Sequence, residues 1–260
     1  MSLFLSTLPL WLAALVIVII PTIIAMAGPA FIRHRVGLER LTSNNEIAGF
    51  KFATVGVIYA VLIAFAVIVV WERFSDGETA VLQEAGAAAT LYRLTNGTAP
   101  EVAETRAALD HYLKLAVEQD WPKMADESYS PEATVALNDL YATVVRLTNK
   151  GLAAPPLLVE MFRQLDSITQ ARRTRLQLAS GIVPDILWMV LFVGAILTIG
   201  FTFFFATENL YAQTMMTGIL SVLVLMGLLV IVSIDHPFAG PVHIESEPLE
   251  MVLKDFSGAH

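Results

Sequence analysis

Apolar residues fall in four long runs, separated by segments where polar and apolar positions alternate at helical spacing. No residue from Leu3 to Ile32 is charged. Crossing hydrocarbon takes about 20 apolar residues at about 1.5 Å rise each, so this run holds a first transmembrane helix with flanks. Pro21 lies inside it and predicts a kink, which neighbours in a bundle tolerate, and Gly28-Pro29 predicts its end. A second span runs from Phe52 to Trp71, bracketed by Lys51 and Glu72. A third, Ile186 to Ala206, is entered through Pro184-Asp185, and a fourth, Met215 to Ile234, stops at Asp235-His236-Pro237. The short link around Thr207-Glu208-Asn209 makes the last two a tight hairpin. Trp11, Tyr59, Trp71, Trp188 and Tyr211 lie mostly near span ends, as an aromatic belt does.

Between the second and third spans the pattern changes. Helix formers dominate, as at Ala85, Ala87, Ala88 and Ala89, and Leu109, Leu113 and Val117 recur at helical spacing. Thr95-Asn96-Gly97 with Pro100, then Pro122, Ser130-Pro131, and Gly151 with Pro155-Pro156 divide the segment. Ser130-Pro131-Glu132 reads as a helix start, with Ser as N-cap, Pro at the first position and Glu in the first turn. Three or four helices result. The first continues the second span outward and the last runs through Arg172–Gly181 into the third. The fold class is an all-α membrane protein: residues 1–71 carry spans one and two, 72–180 a helical extramembrane domain, 181–234 the hairpin of spans three and four, and 235–260 an acidic tail without clear period.

Composition sharpens this picture. Of 260 residues 56% are hydrophobic and only 15% charged, an apolar excess over soluble chains that lipid-facing surface explains. The net charge of −8 excludes the basic footprint that nucleic acid requires. Cysteine is absent, so neither disulfides nor thiolate chemistry enters. No basic region precedes the first apolar run, which therefore reads as a retained helix, not a cleaved signal. Orientation stays open on charge: Arg73, Arg172, Arg173 and Arg175 on one side balance Arg33, Arg35, Arg40 and Lys51 on the other.

Candidate chemistry is sparse. The second span carries a small-residue stripe, Ala53, Gly56, Ala60 and Ala64, of the kind that lets helices approach closely in lipid. Its opposite face, with Val57, Val61, Phe65 and Ile68, is a candidate pore lining, because an apolar constriction gates by dewetting. Asp185, at the lip of the third span, can cap that helix or reach water. Arg172, Arg173 and Arg175 read either as an anchor at anionic headgroups or as an ion-attracting ring in an oligomer. His34, His111, His236, His243 and His260 are scattered without metal-ligand spacing. No glycine-rich phosphate loop or nucleophile elbow occurs, so no enzyme is indicated.

Two segments carry a family resemblance. One is Asn44-Asn45-Glu46 with Gly49, leading into Tyr59–Phe65, Trp71-Glu72, Glu84-Ala85 and Leu91-Tyr92-Arg93; the other is Asp235-His236-Pro237-Phe238-Ala239-Gly240, directly after the fourth span. With Arg172–Arg175 and Trp188 they resemble the bestrophin-like (DUF4239) membrane protein family of bacteria and plants, over nearly the whole chain. More distantly the chain is similar to bestrophins, pentameric ion channels with four spans, a cytosolic helical domain between the second and third, and a pore lined by the second. The resemblance implies a homo-oligomer, a pentamer if it extends to assembly, conducting inorganic ions across a cell membrane, the inner membrane if bacterial, with the domain in the cytoplasm and lipids as neighbours. It also implies a turn at Asp235, Pro237, Phe238 and Gly240. In animal bestrophins such a turn precedes acidic residues of a calcium clasp, which makes Asp235, Glu245 and Glu247 the calcium candidates; here an alanine intrudes and the acidic residues are spread. The rival class is a membrane sensor whose helical domain binds a ligand or partner.

Four spans with the domain after the second place the loop at Arg40 and the domain at Asp126 on opposite membrane faces. In this cysteine-free chain, Arg40→Cys and Asp126→Cys are expected to react with an impermeant thiol reagent from opposite sides. Equal reaction of both from one side rules out four spans.

Overall fold

The computed structural model describes all residues except Met1, Asn44, 96–99, Leu152 and 259–260, so the predicted break at Asn96-Gly97 and the motif residue Asn44 lie outside the described residues. The main helices are α1 (Leu10–Val36), α2 (Asn45–Leu94), α3 (Pro100–Leu115), α4 (Pro131–Asn149), α5 (Pro155–Ala179), α6 (Asp185–Phe201), α7 (Leu210–Ile234) and α8 (Glu247–Gly258). Short helical pieces lie at Ser2–Ser6, Leu38–Thr42, Trp121–Ala125 and Thr202–Phe204. Four helices, Leu10–Val36, Asn45–Leu94, Asp185–Phe204 and Leu210–Ile234, are long and apolar enough to cross a membrane. The chain divides into two compact units: Met1–Glu72 with Ile182–Asp235, and Arg73–Gly181 with His236–His260.

In the membrane unit, the first helix departs from expectation twice. The distortion lies at Leu15–Ile19, a π-helical stretch just ahead of Pro21. Proline lacks an N–H, and a widened turn on its N-terminal side is one way a helix absorbs the missing bond. Pro29 does not end the helix. The chain stays helical to Val36 and stops at Gly37, whose φ of 85° side chains disfavour. Arg33 in the last turn donates to the Thr207 and Glu208 carbonyls at 3.2 and 3.4 Å.

The α6–α7 loop receives a second tie from Asn45. Its side-chain amide donates to the Ala206 carbonyl at 2.6 Å and accepts from the Ala206 N–H at 3.0 Å. Gln213 also donates to the Phe205 carbonyl. Phe52, Phe201 and Phe205 pack ring against ring beside this loop, with centroids 5.5–6.1 Å apart. Tyr59 is not a belt residue: it is buried, donates to the Leu191 carbonyl at 2.8 Å, and lies against Gly194, where a Cβ would collide with its ring. Trp188 is buried as well, whereas Trp11, Trp71 and Tyr211 are exposed as interfacial aromatics are. Asp185 forms no side-chain cap on α6; Pro184 precedes the helix, and Asp185 is exposed in its first turn.

In the helical domain, the outer part of α2 packs with α3, α4, α5 and α8 around one core that includes Leu91, Leu109, Leu140, Leu165 and Leu249. Ser130 caps α4 by accepting from the Ala133 N–H at 3.2 Å. The tail is not irregular. Leu249, Val252 and Phe256 form one apolar face of α8 and join the core, and Phe256 stacks on Tyr92 at 3.7 Å between centroids. Nor does α5 run on into α6. It stops at Ala179, and Gly181 turns the chain with φ 85°. A Cβ there would stand 2.9 Å from the buried His236 ring.

Packing marks where glycine is required. A Cβ on Gly28 would lie 2.5 Å from the Phe203 ring, while a Cβ on Gly56 meets no atom within 4 Å. Overpacking costs about 1–3 kcal/mol. Gly28→Val is therefore expected to lower the melting temperature in detergent even where the protein runs as a monomer. Gly56→Val should leave the monomer's melting unchanged and act only through assembly.

Candidate functional site: the second span and a buried ionic network

Within the membrane unit, the apolar part of α2 is the span least covered by its own chain. Only 17% of its most apolar stretch is buried, against 28% in α1, 33% in the third span and 39% in α7. Tyr59, Ala66 and Val70 form its buried face. Val57, Val61, Phe65 and Ile68 are all exposed, at 49–65%. So are Ala53, Ala60 and Ala64, with Gly56 half-buried. At about 100° per residue the two sets sit about a quarter-turn apart. They are not opposite faces; together they make one broad uncovered side. Three of the four stripe residues are thus exposed, and a Cβ on Gly56 would meet no atom within 4 Å. Val61 and Phe65 also wall an apolar groove of about 470 Å³ between α2 and α6, whose other side carries Val190, Gly194 and Leu197.

Within the helical domain, two of the three candidate arginines are not at the surface. Arg172 and Arg175 are buried, Arg175 completely, so neither holds headgroups nor faces a water-filled path. Arg173 alone of the three is exposed. Arg175 Nε and Nη2 donate to the two carboxylate oxygens of Glu84 at 3.0 and 3.2 Å, a two-pronged pairing. Tyr112 donates its hydroxyl to Glu84 Oε1 at 2.5 Å. The Arg175 guanidinium lies 4.7 Å over the Trp121 ring and 3.6 Å from Asp120 Oδ2. Arg172 makes its own pair with Asp120, at 2.8 and 3.2 Å, and donates to Thr134 at 3.1 Å. Asp120 also accepts the Ser130 N–H at 2.7 Å.

Local structure explains why these groups converge. Arg172 and Arg175 stand one turn apart on the buried side of α5, so both reach the same interior. A π-helical turn, Ala116–Asp120, follows α3. Its extra residue shifts the register so that Asp120 and Trp121 both turn inward. Burial disfavours a charged guanidinium, but Glu84, Tyr112 and Asp120 outweigh it and hold Arg175 above its ordinary pKa. Burial also pushes the Tyr112 phenol well up, and the Glu84 charge adds to the shift. Both shifts favour Arg175 as a cation and Tyr112 as a neutral donor. Arginines beside membrane spans suggested headgroups; their i, i+3 spacing and the glutamate and aspartate elsewhere in the domain were the available signal for pairing.

The turn after the fourth span divides its work. Asp235, in the membrane unit, accepts the Ile182 and Val183 N–H groups at 3.2 and 2.8 Å through one carboxylate oxygen, and its own carbonyl accepts from Ile182 at 3.0 Å. Pro237, Phe238 and Gly240 belong to the helical domain. Pro237 accepts the Ile244 N–H at 2.8 Å, Gly240 turns with φ 82°, and buried Phe238 meets Trp121 edge-on at 5.7 Å. Trp121 donates to the Ile244 carbonyl. His236 pairs with Glu127 at 3.1 Å. Of the calcium candidates, Asp235 accepts backbone amides through one oxygen, and Glu245 and Glu247, in the helical domain, are exposed. Among the described residues no group of three or more His, Asp or Glu is placed to hold a metal.

The architecture is that of a four-span, all-helical membrane protein with a helical domain interposed between spans two and three. The bestrophin-like domain family matches residues 19–249, and the chain belongs to that family. Solved structures agree on the fold. A bacterial bestrophin homologue from Klebsiella pneumoniae is 16% identical, with a TM-score of 0.72 over 93% of this chain and 99% of that one. A point variant of the Klebsiella pneumoniae homologue reaches 0.74 at 15% identity, over 92% and 98%. A structure described only as a membrane protein also reaches 0.74 at 17%, over 93% and 99%. No curated protein matches the chain by sequence.

Cutting the network on one side leaves a buried charge alone, which costs about 3–5 kcal/mol. Glu84→Ala and Arg175→Met are each expected to unfold the domain at markedly lower temperature. The double variant should recover part of the loss. Melting of single and double variants, followed by circular dichroism, checks the coupling.

Proposed function

We propose that this protein is an oligomeric ion channel of bestrophin-like architecture, with the second span of each copy lining the pore. The observation that carries it is the uncovered side of α2. A hydrophobic side by itself could face lipid, but here a small-residue stripe lies beside a row of large apolar residues. The stripe suits close approach of a helix from a neighbouring copy. The row from Val57 to Ile68 then faces an axis as an apolar constriction. A pentamer, the arrangement that the family resemblance suggests, repeats each of these side chains five times around that axis. The permeant species are inorganic ions, the setting is a cell membrane, the inner one in a bacterium, and the helical domain lies in the cytoplasm. The buried arginines take no part in selecting charge in this reading, and no catalytic step is involved.

Phe65→Ala opens the constriction and is expected to raise ion flux through reconstituted protein about tenfold or more, with melting unchanged. Flux in liposomes under opposed anion and cation gradients measures rate and charge preference together. If wild type and Phe65→Ala both conduct no better than empty liposomes while each remains oligomeric, the channel reading fails.

A further inference from the structure

A cavity of about 350 Å³ opens on the membrane unit between the N-terminal segment, α6 and α7, walled by Leu5, Asp185, Trp188, Phe192, Val193 and Val232. Its walls Leu5 and Phe192 also border an apolar hollow of about 490 Å³ reaching Phe203 along α6. Polarity is graded along α6. Asp185, in its first turn, is exposed and makes no ion pair or side-chain hydrogen bond among the described residues. Trp188 follows three residues later, about 4.5 Å deeper at helical rise. It is only 7% exposed, and its indole N–H has no acceptor among the described residues. Native proteins seldom leave a buried donor without a partner. Phe192, one further turn down, stacks on the Trp188 ring at 5.6 Å, and from there every wall is apolar.

A carboxylate at the water's edge, a free donor just below it and hydrocarbon beneath mirror one class of ligand. A glycerophospholipid presents, in the same order, a headgroup, ester oxygens and an acyl chain. The carboxylate selects the headgroup: an anionic lipid is repelled by Asp185, and a quaternary ammonium has no N–H to give it. A primary ammonium carries three donors. We propose that this cavity is a binding site for an ethanolamine phospholipid, its ammonium on Asp185, an ester oxygen accepting from the Trp188 indole, and one acyl chain along the Phe192 side of α6. The site is independent of whether the protein conducts ions.

The test uses the full-length protein in nanodiscs of phosphatidylcholine with a small fraction of brominated-chain phosphatidylethanolamine, phosphatidylglycerol or phosphatidylcholine. The fluorescence lost between wild type and Trp188→Phe isolates Trp188. Brominated phosphatidylethanolamine is expected to quench that component at roughly tenfold lower fraction than either other lipid, the worth of one charge-assisted hydrogen bond. Asp185→Asn should remove the preference for ethanolamine over choline and leave quenching by the chains in place. Equal quenching by all three lipids in wild type overturns the proposal, and that comparison needs no variant at Asp185. Absence of quenching in an intact oligomer, as when a second copy covers the cavity, overturns it too. So does an Asp185→Asn protein of normal melting that keeps the full ethanolamine preference.

Discussion

Hydrocarbon offers the backbone no hydrogen bonds, so every peptide group inside the membrane must be satisfied by the chain itself. The spans answer this as helices, and the places where a helix stops are where side chains step in. Asn45 exchanges two hydrogen bonds with Ala206 in the α6–α7 loop, and Arg33 reaches the same loop from the end of α1. Asp235 takes the two N–H groups that precede α6. Asp235, a calcium candidate by its motif, is in place an acceptor for backbone amides. The π-helical stretch at Leu15–Ile19 belongs to the same account, because Pro21 withholds one N–H from the ladder.

The helical domain is organised by a different constraint. A guanidinium removed from water is costly unless it is matched, and matching Arg175 takes Glu84 and Tyr112 with Trp121 over its face. Those partners come from the outer part of α2, from α3 and from the short helix Trp121–Ala125 after the π-turn. The burial of Arg175 therefore sets the relative register of several helices in this unit. Phe238 extends the arrangement by packing edge-on against Trp121, so the turn after the fourth span is tied to the centre of the domain by an aromatic contact. This gives the Pro237-Phe238 turn a structural purpose.

The membrane unit leaves its most apolar surface on α2, the span that its own chain covers least. Tyr59 against Gly194 and Phe203 against Gly28 show how closely the unit packs where it is covered. The contrast with Gly56, where a Cβ would meet no atom within 4 Å, separates the covered side of the span from its open side. The same contrast distinguishes the α2 face from the Asp185–Trp188 cavity, where polar groups accompany the apolar walls.

Much of the architecture was legible in the residues. Four apolar runs with charged brackets define the spans, because length and hydropathy alone satisfy the membrane's demand. Ser130-Pro131-Glu132 announces the start of α4, because capping is a local interaction. The apolar face of α8 was also present in the spacing of Leu249, Val252 and Phe256, though hidden among acidic neighbours. What the residues alone could not decide depended on distant partners. That Arg172 and Arg175 are buried follows from Asp120 and Glu84, 52 and 91 positions away. That Asp235 serves backbone amides follows from Ile182 and Val183 arriving beside it. Hydrophobicity and capping act over a few residues and can be read along the chain. Which charge meets which depends on how helices far apart in sequence come together, and only the tertiary structure decides that.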